Sequence, residues 1–253
     1  MKLWWRAAAA LRSPHWLGLP LLPKSLSVDF PFSRNACNTF VLWIHRLALP
    51  PAAVVVDVGA NHGDFARAAD ACFPGVRVLV VEPLPVMQRH LEGIIRRQRK
   101  NWRLLPCALG AAAGTLPLFV DENHDDIGSL VGFSEEYLKA NPRARSHAEV
   151  PCEVKTLDDA VRELGVSRID LLKIDVEGFE FEVLKGAAGI LKNTRAVIVE
   201  VSLVRQAGAE NPLVQMLEQL AWQGFEIVEV IPSLFDPAAP WRPREFNVLA
   251  RRG

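Results

Sequence analysis

The segment between Val54 and Phe65 constrains the fold of this chain more than any other. It begins with three valines and Asp57, continues through a turn that contains Gly59 and Gly63, and passes into a helical pattern. β-Branched residues favour a buried strand, and glycine lets the backbone turn sharply before a helix. The pattern therefore predicts the first strand, turn and helix of a nucleotide-binding α/β domain.

The spacing of the two glycines limits the kind of ligand that this turn can hold. Gly59 and Gly63 follow a G-x-x-x-G pattern, whereas dinucleotide-binding turns carry G-x-G-x-x-G. In the dinucleotide pattern an additional glycine lets the backbone approach a pyrophosphate, but here Ala60 places a methyl group in the turn. The turn therefore favours a nucleoside ligand without a pyrophosphate, and S-adenosylmethionine (SAM) is the first candidate.

The second predicted strand, residues 77–82, ends in an acid. Glu82 lies 25 positions after Asp57, and a carboxylate at this place can accept hydrogen bonds from both ribose hydroxyls of a nucleoside. NAD-binding domains share this feature, so Glu82 alone does not distinguish a SAM site from an NAD site. Asp57 is expected to orient the turn and to attract an ammonium group of the ligand. Capping of the following helix is an alternative role for it.

A second group of charged residues lies on and after the predicted strand 169–175. Lys173 and Asp175 alternate onto the same face of that strand, and Glu177 and Glu180 follow closely. Buried parallel strands rarely hold charged residues. The cluster therefore indicates either a functional site or an internal ion-pair network that fixes the end of the strand.

Strand and helix patterns alternate along the chain. The predicted main strands cover residues 53–58, 77–82, 102–108, 169–175 and 196–201, and two last strands cover 225–231 and 246–250. The predicted helices cover residues 65–72, 86–99, 158–164, 181–185 and 213–223. This alternation predicts an α/β fold with a doubly wound, mostly parallel sheet and helices on both faces. The ligand is expected beyond the carboxyl ends of the strands, where strand order reverses.

The remaining patterns define the domain organisation. Residues 1–50 are predicted to form an N-terminal extension of helices and loops, and residues 51–253 to form the domain. Additional strands are predicted at 115–120 and 150–156, and a helix N-cap at Thr156 or Leu157. A proline-rich linker is predicted between the last two strands.

Composition argues against several classes of protein. Lys plus Arg equals Asp plus Glu at 29 each, which argues against a nucleic-acid binder with a basic face. No apolar run reaches the roughly 18 residues that a membrane span needs. Four cysteines without a C-x-x-C pair fit a reducing cytoplasm. The tryptophans near the N-terminus are expected to pack on the domain, with peripheral contact to a membrane surface as an alternative.

Five short segments carry a resemblance to a known family. They are residues 56–63 (VDVGANHG), 81–83 (VEP), 128–130 (GSL), 156–158 (TLD) and 173–180 (KIDVEGFE). Together they resemble the FkbM family of SAM-dependent methyltransferases. The resemblance covers about residues 53–202, and the combination of the glycine turn with the KIDVEG run is its most specific part.

The resemblance implies a Rossmann-like class I SAM-dependent methyltransferase fold, with seven strands of which the last is antiparallel. It implies SAM as cofactor and methyl transfer to a hydroxyl of a sugar, a glycolipid or a natural product. The residues that fall on the cofactor site are Asp57, Gly59, Ala60, Asn61, Gly63 and Glu82, with Ala108 and Leu109 against the adenine. Many methyltransferases carry an acid after the third strand, whereas this chain has Ala108, Leu109 and Gly110. Backbone groups or the loop at Ser129 are therefore expected to hold the adenine.

Methyl transfer to a hydroxyl requires alignment of the reacting atoms and removal of the hydroxyl proton. We hypothesise that Asp175 is the base, with Glu177 and Glu200 as rivals. A divalent cation bound by some of these acids is a further alternative, since hard cations choose carboxylate oxygens, but no metal ligand is predicted. The acceptor is expected to be a small molecule or a glycan, selected by residues outside 50–202. The sequence does not predict an oligomeric state.

Two other functions remain open from the sequence. An NAD-linked oxidoreductase would use the same kind of fold, but Ala60 and the absence of a Tyr-x-x-x-Lys pair disfavour it. A non-catalytic module that binds SAM is the other alternative, and the intact cofactor-site residues argue against it.

Overall fold

The computed structural model describes residues 44, 46–73, 75–98, 100–121, 128–132, 135, 138, 147–204, 211–236 and 239–253. The chain divides into two units, Met1–Asn35 and Ala36–Gly253, and all described residues belong to the second. Most of the N-terminal extension predicted for residues 1–50 thus lies outside the described residues. The extension and its boundary at residue 50 stay predictions.

Eleven strands and five helices build the described part of the domain. The strands are β1 (Val54–Val58), β2 (Arg77–Val81), β3 (Trp102–Leu105), β4 (Ala108–Leu109), β5 (Gly114–Asp121), β6 (Gly128–Ser129), β7 (His147–Lys155), β8 (Leu171–Ile174), β9 (Ala196–Ser202), β10 (Glu226–Asp236) and β11 (Ala239–Arg251). The helices are α1 (Asp64–Cys72), α2 (Pro85–Gln98), α3 (Leu157–Glu163), α4 (Glu180–Lys185) and α5 (Pro212–Trp222), with a short 3₁₀ helix at Ile190–Asn193.

Seven strands form the central sheet in the order β10-β11-β9-β8-β1-β2-β3. The strands from β9 to β3 are parallel to one another, and β11 is antiparallel to both of its neighbours. The mostly parallel sheet and its antiparallel last strand are therefore both confirmed. From β1 the chain adds β2 and β3 on one side, then β8 and β9 on the other. Strand order thus reverses between β1 and β8, which is where such sheets bind ligands.

The core forms around the central strands because most of their side chains are apolar. All five residues of β1 and all four of β8 are buried. Val56, Leu172 and Val199 belong to one buried cluster together with Leu184 of α4 and Leu220 of α5. Each such side chain contributes about 1.5–3 kcal/mol through its removal from water. This rigid core fixes the strand ends that carry the polar residues.

The helices begin where the sequence offers a cap or a turn residue. The side chain of Thr156 caps α3 by accepting a hydrogen bond from the Asp159 amide at 3.0 Å, which confirms the predicted N-cap. Pro85 is the first residue of α2 and Pro212 the first of α5, where the missing amide hydrogen costs nothing. Within the described ranges no helix is both long and apolar enough to cross a membrane.

A second sheet lies outside the central one, in the order β4-β7-β5-β6. The sequence predicts a single strand over residues 102–108, and that prediction is wrong. The strand ends at Leu105, and Ala108 and Leu109 pair instead with β7. Pro106 lies at the break and has no amide hydrogen to continue the ladder. This break transfers two predicted site residues to the second sheet.

The proline-rich segment before the last strand forms a hairpin, so the predicted linker is wrong. β10 continues to Asp236 and β11 begins at Ala239, so both strands exceed the predicted ranges 225–231 and 246–250. β10 is an edge strand, and β11 pairs with β9 only from Glu245 onward. Among the described residues, the outer half of the hairpin has no other strand beside it, and it contains several register shifts. Both features accommodate proline.

Candidate active site

The glycine turn after β1 is held against two neighbouring segments. The amides of Gly59 and Ala60 both donate to the Val81 carbonyl at the end of β2, at 3.0 and 3.1 Å. Gly59 has a φ of +75° and Asn61 a φ of +47°. A Cβ atom on Gly59 would lie 1.8 Å from the carbonyl oxygen of Asp175. Glycine is required here because the backbone after β8 passes directly against the turn.

Glu82 lies buried beside this turn with both carboxylate oxygens engaged. One oxygen accepts a hydrogen bond from the Asn61 amide at 2.7 Å, and the other from the Leu84 amide at 2.8 Å. A carboxylate oxygen has two lone pairs, so each oxygen retains capacity for one more donor. Burial raises the pKa of Glu82 to about 7, although the two amides favour the ionised form. The arrangement fits a ligand that presents two adjacent hydroxyl groups.

Burial also raises the pKa of Asp57, to about 6, against the opposing charge of Lys173. Asp57 and Glu82 thus hold a proton more tightly in the folded protein than in the unfolded chain. Their contribution to stability is present at low pH and is lost as pH rises from their ordinary values of 3.8 and 4.5 through about 6 and 7. A ligand that donates hydrogen bonds to ionised Glu82 would offset part of this cost.

Lys173 joins the turn to the segment after β8. Its Nζ atom lies 3.4 Å from Asp57 Oδ1 and 3.1 Å from Asp175 Oδ2, and it donates to the Gly59 carbonyl at 3.2 Å. Burial lowers the pKa of Lys173, but the charges of Asp175 and Asp57 outweigh this effect and leave the pKa above its ordinary value. Lys173 is therefore charged at neutral pH, as a buried cation between two acids.

The segment after β8 has an unusual backbone that other residues hold in place. Glu177 has a φ of +58° and Gly178 a φ of +105°. One carboxylate oxygen of buried Glu180 accepts hydrogen bonds from the amides of Val176 and Gly178, at 3.1 and 3.0 Å. The Ser129 hydroxyl donates to the Glu177 carbonyl at 2.8 Å. Ser129, which the sequence predicts near the adenine, thus directs its hydroxyl hydrogen to this loop.

Eight of the twelve predicted site residues line a single cavity between the carboxyl ends of the strands and the second sheet. They are Gly59, Asn61, Glu82, Ala108, Leu109, Ser129, Asp175 and Glu177. The structure adds lining residues that sequence reasoning missed, namely Val58, Val81, Pro83, Leu84, Cys107, Leu118, Gly128, Leu130 and Val176. Most of the added residues are apolar, so the cavity combines carboxylates with apolar lining residues.

Three of the other predicted residues lie behind the cavity wall. Asp57 is fully buried, and Ala60 is 5% exposed. The Ala60 carbonyl accepts the Gly63 amide at 2.7 Å, and a Cβ atom on Gly63 would lie 2.9 Å from Leu91 of α2. These residues therefore shape the turn and pack it on α2. Gly59 and Asn61 of the same turn line the cavity.

An acidic cluster adjoins the cavity. Carboxylate oxygens of Glu177, Glu200 and Glu245 lie within 4.8 Å of one another. Burial and the negative charges of Asp175 and Glu245 raise the pKa of Glu200 well above its ordinary value, and Glu200 also hydrogen bonds with Asp175. Carboxyl groups this close must share protons or a cation. Sequence reasoning missed Glu245 because it lies in the segment predicted to be a linker.

The fold matches that of known methyltransferases. Magnesium protoporphyrin IX methyltransferase from Synechocystis PCC 6803, solved with bound SAM, superimposes with a TM-score of 0.50. The match covers 86% of this chain and 78% of that one at 13% identity, which establishes the fold alone. The strand order and the antiparallel last strand define the class I SAM-dependent methyltransferase fold.

Sequence comparison identifies the family. A family model described as the methyltransferase FkbM domain matches residues 57–227. The chain is 31% identical over 228 residues to methyltransferase sdnD of Sordaria araneosa, covering 81% of this chain and 83% of sdnD. It is also 31% identical over 211 residues to 31-O-demethyl-FK506 methyltransferase FkbM of Streptomyces tacrolimicus, covering 76% and 79%. The chain belongs to the FkbM methyltransferase family, and an NAD-linked oxidoreductase is set aside.

Proposed function

We propose that this enzyme transfers the methyl group of SAM to a hydroxyl of a sugar, a glycolipid or a natural product. The observation that carries the proposal is a single cavity that holds both Glu82 and Asp175. The first is a carboxylate with acceptor capacity for a ribose, and the second is a carboxylate able to take a hydroxyl proton. Similarity to an enzyme whose name specifies O-methylation, FkbM of Streptomyces tacrolimicus, supports the choice of a hydroxyl acceptor.

The lining residues fit SAM. Glu82 would accept the two ribose hydroxyls, and Leu84, Ala108 and Leu118 would pack against the adenine, since these three belong to one buried apolar cluster. Asp57 would act from behind the wall by orienting the turn. When bound, SAM supplies a methyl group on a positively charged sulfur. The residues of the chain have only to bind SAM and the acceptor, to align the reacting atoms and to exclude water.

We assign the role of base to Asp175. Its side chain is 29% exposed and lies on the cavity wall, so an acceptor hydroxyl can reach it. Lys173, at 3.1 Å, favours its ionised form. In this mechanism the acceptor hydroxyl would give its proton to an Asp175 oxygen as it takes the methyl group that SAM supplies, and the sulfur–methyl bond would break to leave S-adenosylhomocysteine. Glu177 and Glu200 are the rival bases, since both lie in the adjoining acidic cluster.

The first test concerns the cofactor. Replacement of Glu82 by glutamine is expected to weaken binding of S-adenosylhomocysteine about 10–100-fold, because hydrogen bonds to a charged acceptor contribute about 1.5–3 kcal/mol. Isothermal titration calorimetry of the wild type and the variant measures the effect, with NAD as the control ligand. Saturable binding of NAD but not of S-adenosylhomocysteine would refute the proposed function.

The pH dependence of S-adenosylhomocysteine binding tests the contribution of Glu82. Its pKa of about 7 means that the carboxyl group must lose a proton before it accepts the ribose hydroxyls. Wild-type affinity is expected to be about tenfold lower at about pH 6 than at about pH 8, and Glu82→Gln should lose this dependence. A variant that keeps the full pH dependence would assign it to another group.

The acceptor is expected to lie along the hairpin of β10 and β11. Leu234 pairs directly opposite Glu245, and opposed residues of an antiparallel pair project from the same face. Leu234 is 47% exposed. An apolar side chain thus stands beside the acidic cluster, where it would contact the carbon skeleton of an acceptor whose hydroxyl points toward Asp175.

Replacement of Leu234 by alanine tests this placement. The loss of part of its apolar contact, about 1 kcal/mol, is expected to lower kcat/KM for the acceptor about fivefold. Transfer of labelled methyl groups to a panel of hydroxylated sugars and natural products measures it. Val228→Ala is the matched control, since Val228 is 48% exposed near the other end of the same strand. Equal effects of the two changes would place the acceptor elsewhere.

A further inference from the structure

Lys173 is a buried cation that connects the turn after β1 with the segment after β8. It is 6% exposed, and three oxygens of two different segments surround its Nζ atom. Asp57 and the Gly59 carbonyl belong to the turn after β1, whereas Asp175 follows β8. The Phe65 ring of α1 lies 5.9 Å from Nζ, so the ammonium group is enclosed on a further side.

The cost of this arrangement argues for a specific role. Removal of an ammonium group from water is expensive, and replacement of a buried ion pair by apolar residues is often neutral or stabilising. Stability of the fold alone therefore does not require a lysine at the centre of the sheet. What Lys173 does provide is a fixed distance between the turn and Asp175. It also places a cation beside one oxygen of Asp175.

We propose that Lys173 is a positioning residue that holds the Asp175 carboxylate in register with the cofactor turn. The inference rests on the proposed function, in which Asp175 is the base. Lys173 lies 3.1 Å from Asp175 Oδ2 and contacts Gly59. Lys173 is therefore one fixed contact of the Asp175 carboxylate, in addition to the hydrogen bond between Asp175 and Glu200. Displacement of reacting groups by about 1 Å can lower a rate about 100-fold.

A double-mutant cycle on kcat tests the proposal. Lys173→Met is expected to lower kcat about 100-fold, with little change in acceptor KM or in the affinity for S-adenosylhomocysteine. Because Lys173 acts through Asp175, Lys173→Met added to Asp175→Asn should cause no further loss. Losses that multiply in the double variant, or a single variant with wild-type kcat, would overturn the proposal. Asp57 can take up a proton when the cation is removed, so Lys173→Met is expected to fold.

Controls separate a local role from general destabilisation. Lys100→Gln removes another partly buried lysine, one that pairs with Asp70 away from the cavity, and should leave kcat unchanged. If Lys173→Met does not fold, Lys173→Gln, which is uncharged and one atom too short to make all the contacts of Lys173, takes its place in the same cycle. Near-normal turnover of Asp175→Asn would refute the base itself and with it this role of Lys173. Losses in kcat that multiply in the double variant, with Asp175→Asn itself impaired, would refute only the role of Lys173.

Discussion

Asp175→Asn is expected to lower kcat about 10²–10⁴-fold, the range that general base catalysis contributes. Asparagine has the same shape but cannot take up the hydroxyl proton. Its oxygen can still accept a hydrogen bond from Lys173, so the loop and the cofactor turn should keep their geometry. Affinity for S-adenosylhomocysteine should therefore stay close to that of the wild type. Single-turnover assays of methyl transfer, with calorimetry on the same preparations, measure the two quantities.

Glu177→Gln and Glu200→Gln are the matched controls for this prediction. Both replace an acid of the neighbouring acidic cluster with an uncharged amide without changing the Asp175 side chain, and both should reduce kcat far less than Asp175→Asn does. Near-normal turnover of Asp175→Asn, together with a large loss in one of the controls, would transfer the role of base to that glutamate. This comparison decides between Asp175, which the sequence analysis favours as the base, and its two rivals.

Much of the site could be predicted because a parallel sheet brings the carboxyl ends of its strands together. Gly59, Glu82 and Asp175 all follow strands that the hydrophobic pattern reveals, and each of the three lines the cavity. The prediction needed only local sequence and one topological rule. Whether each residue acts as proposed depends on the binding and turnover experiments.

The residues that were missed depend on contacts between distant segments. Glu245 reaches the acidic cluster through the register of β11 against β9, where it pairs with Ser202, and no local pattern encodes that register. Leu118 reaches the cavity because β5 belongs to a second sheet. The sequence predicts the strand but not the sheet that it joins. The prediction of a linker before the last strand was wrong because it was based on proline content, and an edge hairpin tolerates proline as readily as a loop does.

Ser129 illustrates how a predicted residue can lie at the right place with a different contact. The sequence places its loop near the adenine, and Ser129 does line the cavity. Its hydroxyl, however, donates to the carbonyl of Glu177, 48 residues away along the chain. This bond fixes a residue with a positive φ. It thereby contributes to the shape of the cavity at Glu177, and such a nonlocal partner cannot be inferred from the sequence.

Gly59→Ala is expected to abolish cofactor binding and to destabilise the protein by about 2–4 kcal/mol. An alanine at a φ of +75° costs about 1 kcal/mol in backbone strain. Its Cβ atom would also lie 1.8 Å from the Asp175 carbonyl oxygen, and overpacking of this kind costs about 1–3 kcal/mol more. Because the obstacle is backbone, relief requires that the turn and the loop after β8 separate, which displaces Glu82 from Asp175.

Gly165→Ala separates the cost of backbone strain from the cost of the close contact with the Asp175 carbonyl. Gly165 has a φ of +64° but nothing within 4 Å of its Cβ position, so alanine there should cost only the backbone strain, about 1 kcal/mol. Chemical denaturation measures both free energies of unfolding, and calorimetry measures binding of S-adenosylhomocysteine. Equal destabilisation by the two changes, with binding retained in Gly59→Ala, would mean that the turn and the loop move independently. A larger loss in Gly59→Ala, with binding abolished, would establish that one close backbone contact aligns the cofactor side of the cavity with the acid that faces the acceptor.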